Sequence, residues 1–257
     1  MSALEVVRDG AVATVTLSRP ERRNALDPAL LAALTDTFGA IGTDPAVRVV
    51  VLRGEGPAFC AGADLDWMAA SRELSREENV ADAERMAAAF EAIDACPKAV
   101  VARVHGAAFG GGAGLVACAD VAIAAEGTTF AFSEVRLGLV PATISPYIMR
   151  AIGPGATRAL FTTGRRFDAE EALRLGLVHQ VASENGLDSA MAEVVHSLLS
   201  AGPEAVTACK RLVREATSAW TLEDLPDRIA RARVGAEGRE GVTAFLERRS
   251  PSWSVDS

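Results

Sequence analysis

The chain has 257 residues, 49% of them hydrophobic, which is enough for one large core and a modest appendage. A formal charge of −8 argues against a nucleic-acid surface but leaves room for a local basic cluster such as Arg19, Arg22 and Arg23. Cys60, Cys96, Cys118 and Cys209 are scattered with no CxxC pair, which argues against structural zinc or a disulfide framework and fits a reducing, cytoplasmic setting. The first residues lack the features of a signal peptide, and no uncharged stretch approaches the length of a membrane span.

Leu4 to Val7 and Ala11 to Leu17 flank Asp9-Gly10, a hairpin signal. Asp27 followed by Pro28 marks a helix start, and Leu30, Leu31, Leu34, Phe38 and Ile41 keep helical spacing. Val47 to Leu52 reads as a buried strand that runs into a loop, Arg53 to Met68, with three glycines and no helical periodicity. Ser75-Arg-Glu-Glu78 is a capping box for a helix reaching about Ala95, with Met86, Phe90 and Ile93 on one face. A strand at 99–104, a glycine turn, a short helix at roughly 111–119 and strands near 120–125 and 129–132 follow. Asp168-Ala-Glu-Glu171 caps another helix that stops at Gly176, and Leu177 to Val181 is a short strand. From Leu187 the pattern is helical, with breaks at Gly202-Pro203, Pro226 and Gly238. This alternation predicts α/β layering over residues 1–186 and a separate helical subdomain over 187–257.

The run His105-Gly-Ala-Ala-Phe-Gly-Gly-Gly-Ala-Gly114 follows the strand at 99–104. Its glycines leave the backbone open to a close approach, and the helix behind aims unpaired N–H groups at whatever sits there. A dinucleotide fingerprint would need glycine or alanine where Leu115 stands, and a phosphate loop would need lysine where Ala113 stands. The loop after Leu52 exposes its main chain in the same way. Two such strand exits can supply two convergent N–H donors, an oxyanion hole for a carbonyl that gains negative charge.

Four ordered segments carry a family resemblance: Ala58-Phe-Cys-Ala-Gly-Ala-Asp-Leu65, His105-Gly-Ala-Ala-Phe-Gly-Gly-Gly112, Ala117-Cys-Ala-Asp-Val-Ala-Ile-Ala124 and Ser133-Glu-Val-Arg-Leu-Gly-Leu-Val-Pro141. Together they resemble the enoyl-CoA hydratase/isomerase, or crotonase, family, over nearly the whole chain. The extended segment to Pro146 looks closest to bacterial proteins assigned to methylglutaconyl-CoA hydration in leucine breakdown. The resemblance implies a crotonase fold of stacked β-β-α units with mixed sheets, followed by a C-terminal helical region that packs between subunits in trimers or paired trimers. It also implies an acyl-CoA thioester substrate, and no metal or redox cofactor.

Carried over residue by residue, the oxyanion donors are the N–H groups of Ala63 and Gly111, and the general acid/base is Glu134. The family's second glutamate falls on Gly114, so a two-carboxylate mechanism is in doubt. Hydration of a 2-enoyl-CoA leads, with double-bond isomerisation as the alternative and a catalytically idle scaffold as the rival of another class. Ala25, Ala61, Leu65, Gly110 and Gly114 fall among the substrate and CoA contacts, with Trp67 and Met68 either walling the acyl pocket or packing in the core, and Arg22 and Arg23 either reaching CoA phosphates or simply solvated. Asp64 also falls there, although it and Asp120 read more simply as turn or capping residues. His105, His179 and His196 have no metal spacing, and Ser133 has no histidine base placed beside it. A methylglutaconyl group would need a donor for its distal carboxylate. Arg136 is the candidate, two residues from Glu134 and on the same side if the segment is extended.

Overall fold

The computed structural model describes residues 3–216 and 235–253. The first half runs β1 (Leu4–Asp9), β2 (Val12–Leu17), α1 (Pro28–Thr43), β3 (Val49–Gly54), α2 (Leu65–Ala70), α3 (Arg76–Asp94), β4 (Ala99–Val104), β5 (Ala107–Phe109) and α4 (Gly111–Ala117). Then come β6 (Val121–Ala125), β7 (Thr129–Ala131), α5 (Ser145–Thr163), β8 (Arg166–Asp168), α6 (Ala169–Leu175), β9 (Gln180–Ala182), α7 (Leu187–Ser200), α8 (Pro203–Ala216) and α9 (Ala236–Glu247).

Six strands form one sheet in the order β1-β2-β3-β4-β6-β9, antiparallel in the first hairpin and parallel thereafter. Because β3 and β4 are parallel, with Arg53 opposite Arg103, both deliver their glycine-rich exits to the same end of the sheet. That register places the future site at the carboxyl ends of the strands, where parallel sheets bind ligands. A second sheet, β5-β7-β8, stands beside it, its buried face built by Ala108, Phe130 and Phe167.

The starts of α1 and α3 follow local chemistry. Asp27 Oδ1 accepts the Leu30 N–H at 2.8 Å, and the five apolar residues of α1 named above are all buried. At α3 the capping box is complete in both directions. The central strands are buried on both faces, as the near-continuous valines of β3 and β4 require. Val50, Leu52, Val100 and Ala102 join the main core beneath α1, α3, α4 and α5. Val49, Val51 and Val101 point the other way and meet Leu187, Ala190 and Met191 of α7.

Several expectations need correction. The stretch 53–68 is not loop throughout, because Asp64 caps α2 from Leu65. Strands β5 and β8 are three residues each, too short for a periodicity to register. Helix α5 was hidden by Pro146 and by Gly153-Pro154-Gly155; Gly153 has φ 74° and ψ 161°, so two helical pieces join at a kink with proline opening the second. Of the helical region expected from residue 187, α7 packs on the second face of the sheet. Gly238 lies inside α9 rather than ending a helix, and Pro226 lies outside the described residues.

Candidate active site

Two clamps hold the loop after β3. On one side Asn24, fully buried at φ 56°, donates through Nδ2 to Glu55 O and Ala58 O, both at 2.8 Å, and accepts the Arg19 N–H at 2.9 Å. On the other side the loop runs along β5: Phe59 N–H donates to His105 O, Cys60 N–H to Ala107 O, and Phe109 N–H to Cys60 O. The exits of β3 and β4 are thereby tied into one surface.

Leu26 bridges to Ala63 in parallel fashion, its N–H donating to Gly62 O at 2.7 Å and its C=O accepting from Asp64 N–H at 2.8 Å. In such a bridge the opposed residue, Ala63, turns its own N–H away from its partner. Gly111 is the first residue of α4, so its N–H has no acceptor within the helix. Among the described residues no protein acceptor takes either N–H. Leu26 links the two, because a Cβ at Gly111 would stand only 2.7 Å from Leu26 Cδ1.

Gly110 turns the chain into α4 with φ 48° and ψ −116°, a conformation that suits glycine alone. Its missing side chain also makes room for Glu134, whose Oε1 would lie 2.8 Å from a Cβ there. Glu134 begins a 3-10 turn, Glu134–Leu137, directly behind β7. Its Oε2 is buried without a hydrogen-bond partner. Burial pushes the carboxyl above the ordinary glutamate range, against a smaller opposing pull from its own backbone N–H. A half-buried carboxyl with one unpartnered oxygen and a raised pKa, set against Gly110 and so one residue from the unpaired N–H of Gly111, has the equipment to move a proton next to a developing oxyanion.

Position 114 has no room for a second acid. A Cβ at Gly114 would stand 2.3 Å from Ile144 Cγ2 and 3.2 Å from Phe90 Cε1. Apolar packing takes the space a side chain at position 114 would need, with Ile144 buried.

The other expected site residues divide clearly. Asp64 is a cap: it accepts Asp66 N–H at 2.9 Å and pairs with Arg19 at 3.0 Å. Burial pushes its carboxyl up, but the bonds from Asp66, Arg19 and Trp67 outweigh burial and hold it below the ordinary aspartate value. Asp120 accepts from Val100 N–H and Lys210 Nζ at the entry end of β4, away from the glycine turns. Ala61 N–H donates to Arg23 O, and the buried Ala25 accepts from Arg19 through its carbonyl, so both shape the loop by backbone.

On α2, Leu65 is 76% exposed, while Trp67 and Met68 are half-buried and Trp67 Nε1 donates to Asp82 of α3 at 2.9 Å. Arg22 pairs with Asp66 at 2.9 Å. Arg23 is exposed, with no acidic partner among the described residues. For Arg136 the extended geometry does not hold: the 3-10 turn places residues two apart on different sides, and Arg136 Nε donates to Gly164 O at 2.8 Å.

The sequence reading missed Asn24 as a clamp and Ile144 as the occupant of the second acid's space. Asn24 had a signal, since a polar residue just before a helix cap can sit in the left-handed region; Ile144 had none. Cys60, Cys96 and Cys118 are buried free thiols and Cys209 is exposed; burial drives Cys60 up to about 12. Among the described residues no cluster of His, Cys, Asp and Glu could hold a metal ion, and no helix is long and apolar enough to cross a membrane.

Comparison with known proteins agrees with this geometry. The family described as Enoyl-CoA hydratase/isomerase matches residues 8–256. The enoyl-CoA hydratase ACTT6 of Alternaria alternata is 37% identical over 249 residues, covering 94% of this chain and 80% of that protein. Carnitinyl-CoA dehydratase of Salmonella enteritidis is 33% identical over 265 residues, covering 98% of each. Among solved structures, an enoyl-CoA hydratase from Shewanella pealeana superposes with a TM-score of 0.94 at 38% identity, covering 98% of this chain and 96% of the other. Pseudomonas aeruginosa AtuE gives 0.95 at 38% identity, covering 98% and 100%. The crotonase fold is thus shared along the chain's length, and the protein is an enzyme of the enoyl-CoA hydratase/isomerase family.

Proposed function

We propose that this enzyme hydrates the double bond of a 2-enoyl-CoA thioester, with Glu134 as its one acid/base. The observation that carries the reading is the buried, unpartnered Oε2 of the half-buried Glu134 against Gly110, one residue from the free N–H of Gly111. Water is too weak a nucleophile to add unaided at neutral pH; Glu134 removes its proton as the oxygen bonds to Cβ, and the thioester oxygen collects the displaced charge. The N–H groups of Ala63 and Gly111 stabilise that oxyanion, each donor contributing about 2.7–4 kcal/mol to the transition state. Glu134 then returns the proton to Cα, so the cycle moves protons only and draws on no redox or metal cofactor. Arg23 and Arg22 lie on the loop tied to Ala61 and suit the CoA phosphates.

The isomerase reading stands second because Gly114 and Ile144 leave a single carboxylate, which can also carry a proton between Cα and Cγ. An idle scaffold is disfavoured, since burying an unpaired carboxyl has a stability cost that binding alone does not require. Incubating a panel of 2-enoyl-CoA and 3-enoyl-CoA esters in oxygen-18-labelled water separates the readings: hydration puts the label in the product, whereas isomerisation moves the double bond without it. The resemblance of Ser133–Pro146 supports trying 3-methylglutaconyl-CoA first among the branched esters of that panel. Subunit contacts through the C-terminal helices, in a trimer or a pair of trimers, belong to the same proposal.

A further inference from the structure

Ile144 fills the space a carboxylate at position 114 would need, and one residue earlier the chain offers a hydroxyl. Thr143 is half-buried, and its Oγ1 lies 3.0 Å from Met86 Sδ. Met86 stands one turn before Phe90 on α3. Phe90 in turn closes on the start of α4, its Cζ 3.6 Å from a Cβ at Gly111 and its Cε1 3.2 Å from one at Gly114. Thr143 and Ile144 therefore lie along the α3 face that walls the first turn of α4. Leu26, Met86, Phe90 and Ile144 on that wall are apolar, and Thr143 brings a hydroxyl to it. A thioether is a weak acceptor, and no donor among the described residues reaches the Thr143 oxygen, so its lone pairs are open to a better partner.

We propose that Thr143 positions the water that adds to the enoyl thioester, in place of the absent second carboxylate; this rests on the hydratase reading above. Thr143 Oγ1 accepts one O–H of the water as a hydrogen bond. Glu134 takes the other proton while the water oxygen bonds to Cβ and the Cα–Cβ π pair passes into the thioester as an enolate. The enolate then takes that proton from Glu134 onto Cα. One O–H bond has broken, a C–O and a C–H bond have formed, and both side chains are as they began.

The test compares Thr143→Val, which keeps shape and removes the hydroxyl, with Thr143→Ser, which keeps the hydroxyl. Each is assayed for hydration of the enoyl-CoA that the wild type turns over fastest. Each is also assayed for exchange of the Cα proton of butyryl-CoA in deuterium oxide, which needs Glu134 and the oxyanion donors but no attacking water. Thr143→Val lowers kcat for hydration by about 10- to 100-fold with KM nearly unchanged, because a misplaced water loses alignment rather than affinity. Exchange stays at the wild-type rate, and Thr143→Ser restores hydration. Wild-type hydration in Thr143→Val overturns the proposal, as does a parallel loss of hydration and exchange that serine does not restore. If the wild type exchanges but hydrates none of the esters, the hydratase reading itself falls, and the role of Thr143 with it.

Discussion

Glu134 carries two properties that pull against each other. Burial raises its pKa, so the folded chain binds that proton more tightly than the unfolded chain does. The stability this site contributes is therefore complete below the ordinary glutamate range and is lost as pH rises through the raised folded value. At neutral pH the ionised carboxyl costs stability, and Glu134→Gln should raise Tm there, with the gain shrinking as the pH of the melt is lowered. The same substitution should reduce turnover by about 10²- to 10⁴-fold while a saturated CoA ester still binds. In the wild type, kcat/KM should fall on the acid side with a midpoint above the usual glutamate value, since the proton acceptor is the ionised form. A midpoint at or below that value would show that burial does not tune the group. Glu134 itself was legible from its motif, as was the absence of an acid at Gly114, whereas the lack of a hydrogen-bond partner for its Oε2 and its nearness to Gly110 were not, because both come from tertiary packing against the turn between β5 and α4. Arg136 shows the opposite failure: spacing by two implied a shared side, and a 3-10 turn undid it.

At the scale of elements, the site depends on how closely α4 approaches its neighbours. Cβ positions at Gly112 and Gly114 would stand 2.3 Å from Cys60 O and from Ile144 Cγ2. Gly114→Ala should therefore destabilise the fold by about 1–3 kcal/mol in denaturant melts, the usual effect of overpacking. Adding Ile144→Ala should recover part of that loss, a coupling that two independent sites would not produce. Asn24→Ala should cost about 1–3 kcal/mol, chiefly for the buried Ala58 carbonyl it strands, and should raise KM by loosening the loop that carries Ala63. Unchanged stability would mean that the clamp on β5 suffices without it. Capped and evenly spaced elements such as α1 and α3 were readable in the sequence. Those whose existence depends on a neighbour were not: β5 needs Cys60 and β7 beside it, and α2 needs the cap that Asp64 forms with help from Arg19.

In the whole molecule, the parallel sheet sets the position of the site and the C-terminal helices cover the opposite concerns. Helix α7 seals the second face of the sheet, while Lys210 of α8 reaches Asp120 at the strand entries with Nζ 2.6 Å from Oδ2. Burial pushes the Asp120 carboxyl up and Lys210 is the main opposing pull, so removing α8 leaves a buried acid without its cation. On the proposal that the C-terminal helices also join subunits, truncation after Ala201 should give aggregates or monomers in light scattering, and a particle with the full-length subunit number would contradict it. The most direct test of the central claim is turnover of 2-enoyl-CoA esters in oxygen-18-labelled water by wild type and Glu134→Gln. The account predicts labelled 3-hydroxyacyl-CoA from the wild type and little or none from the variant. Equal labelling by both proteins, or unlabelled product from an active wild type, would contradict it.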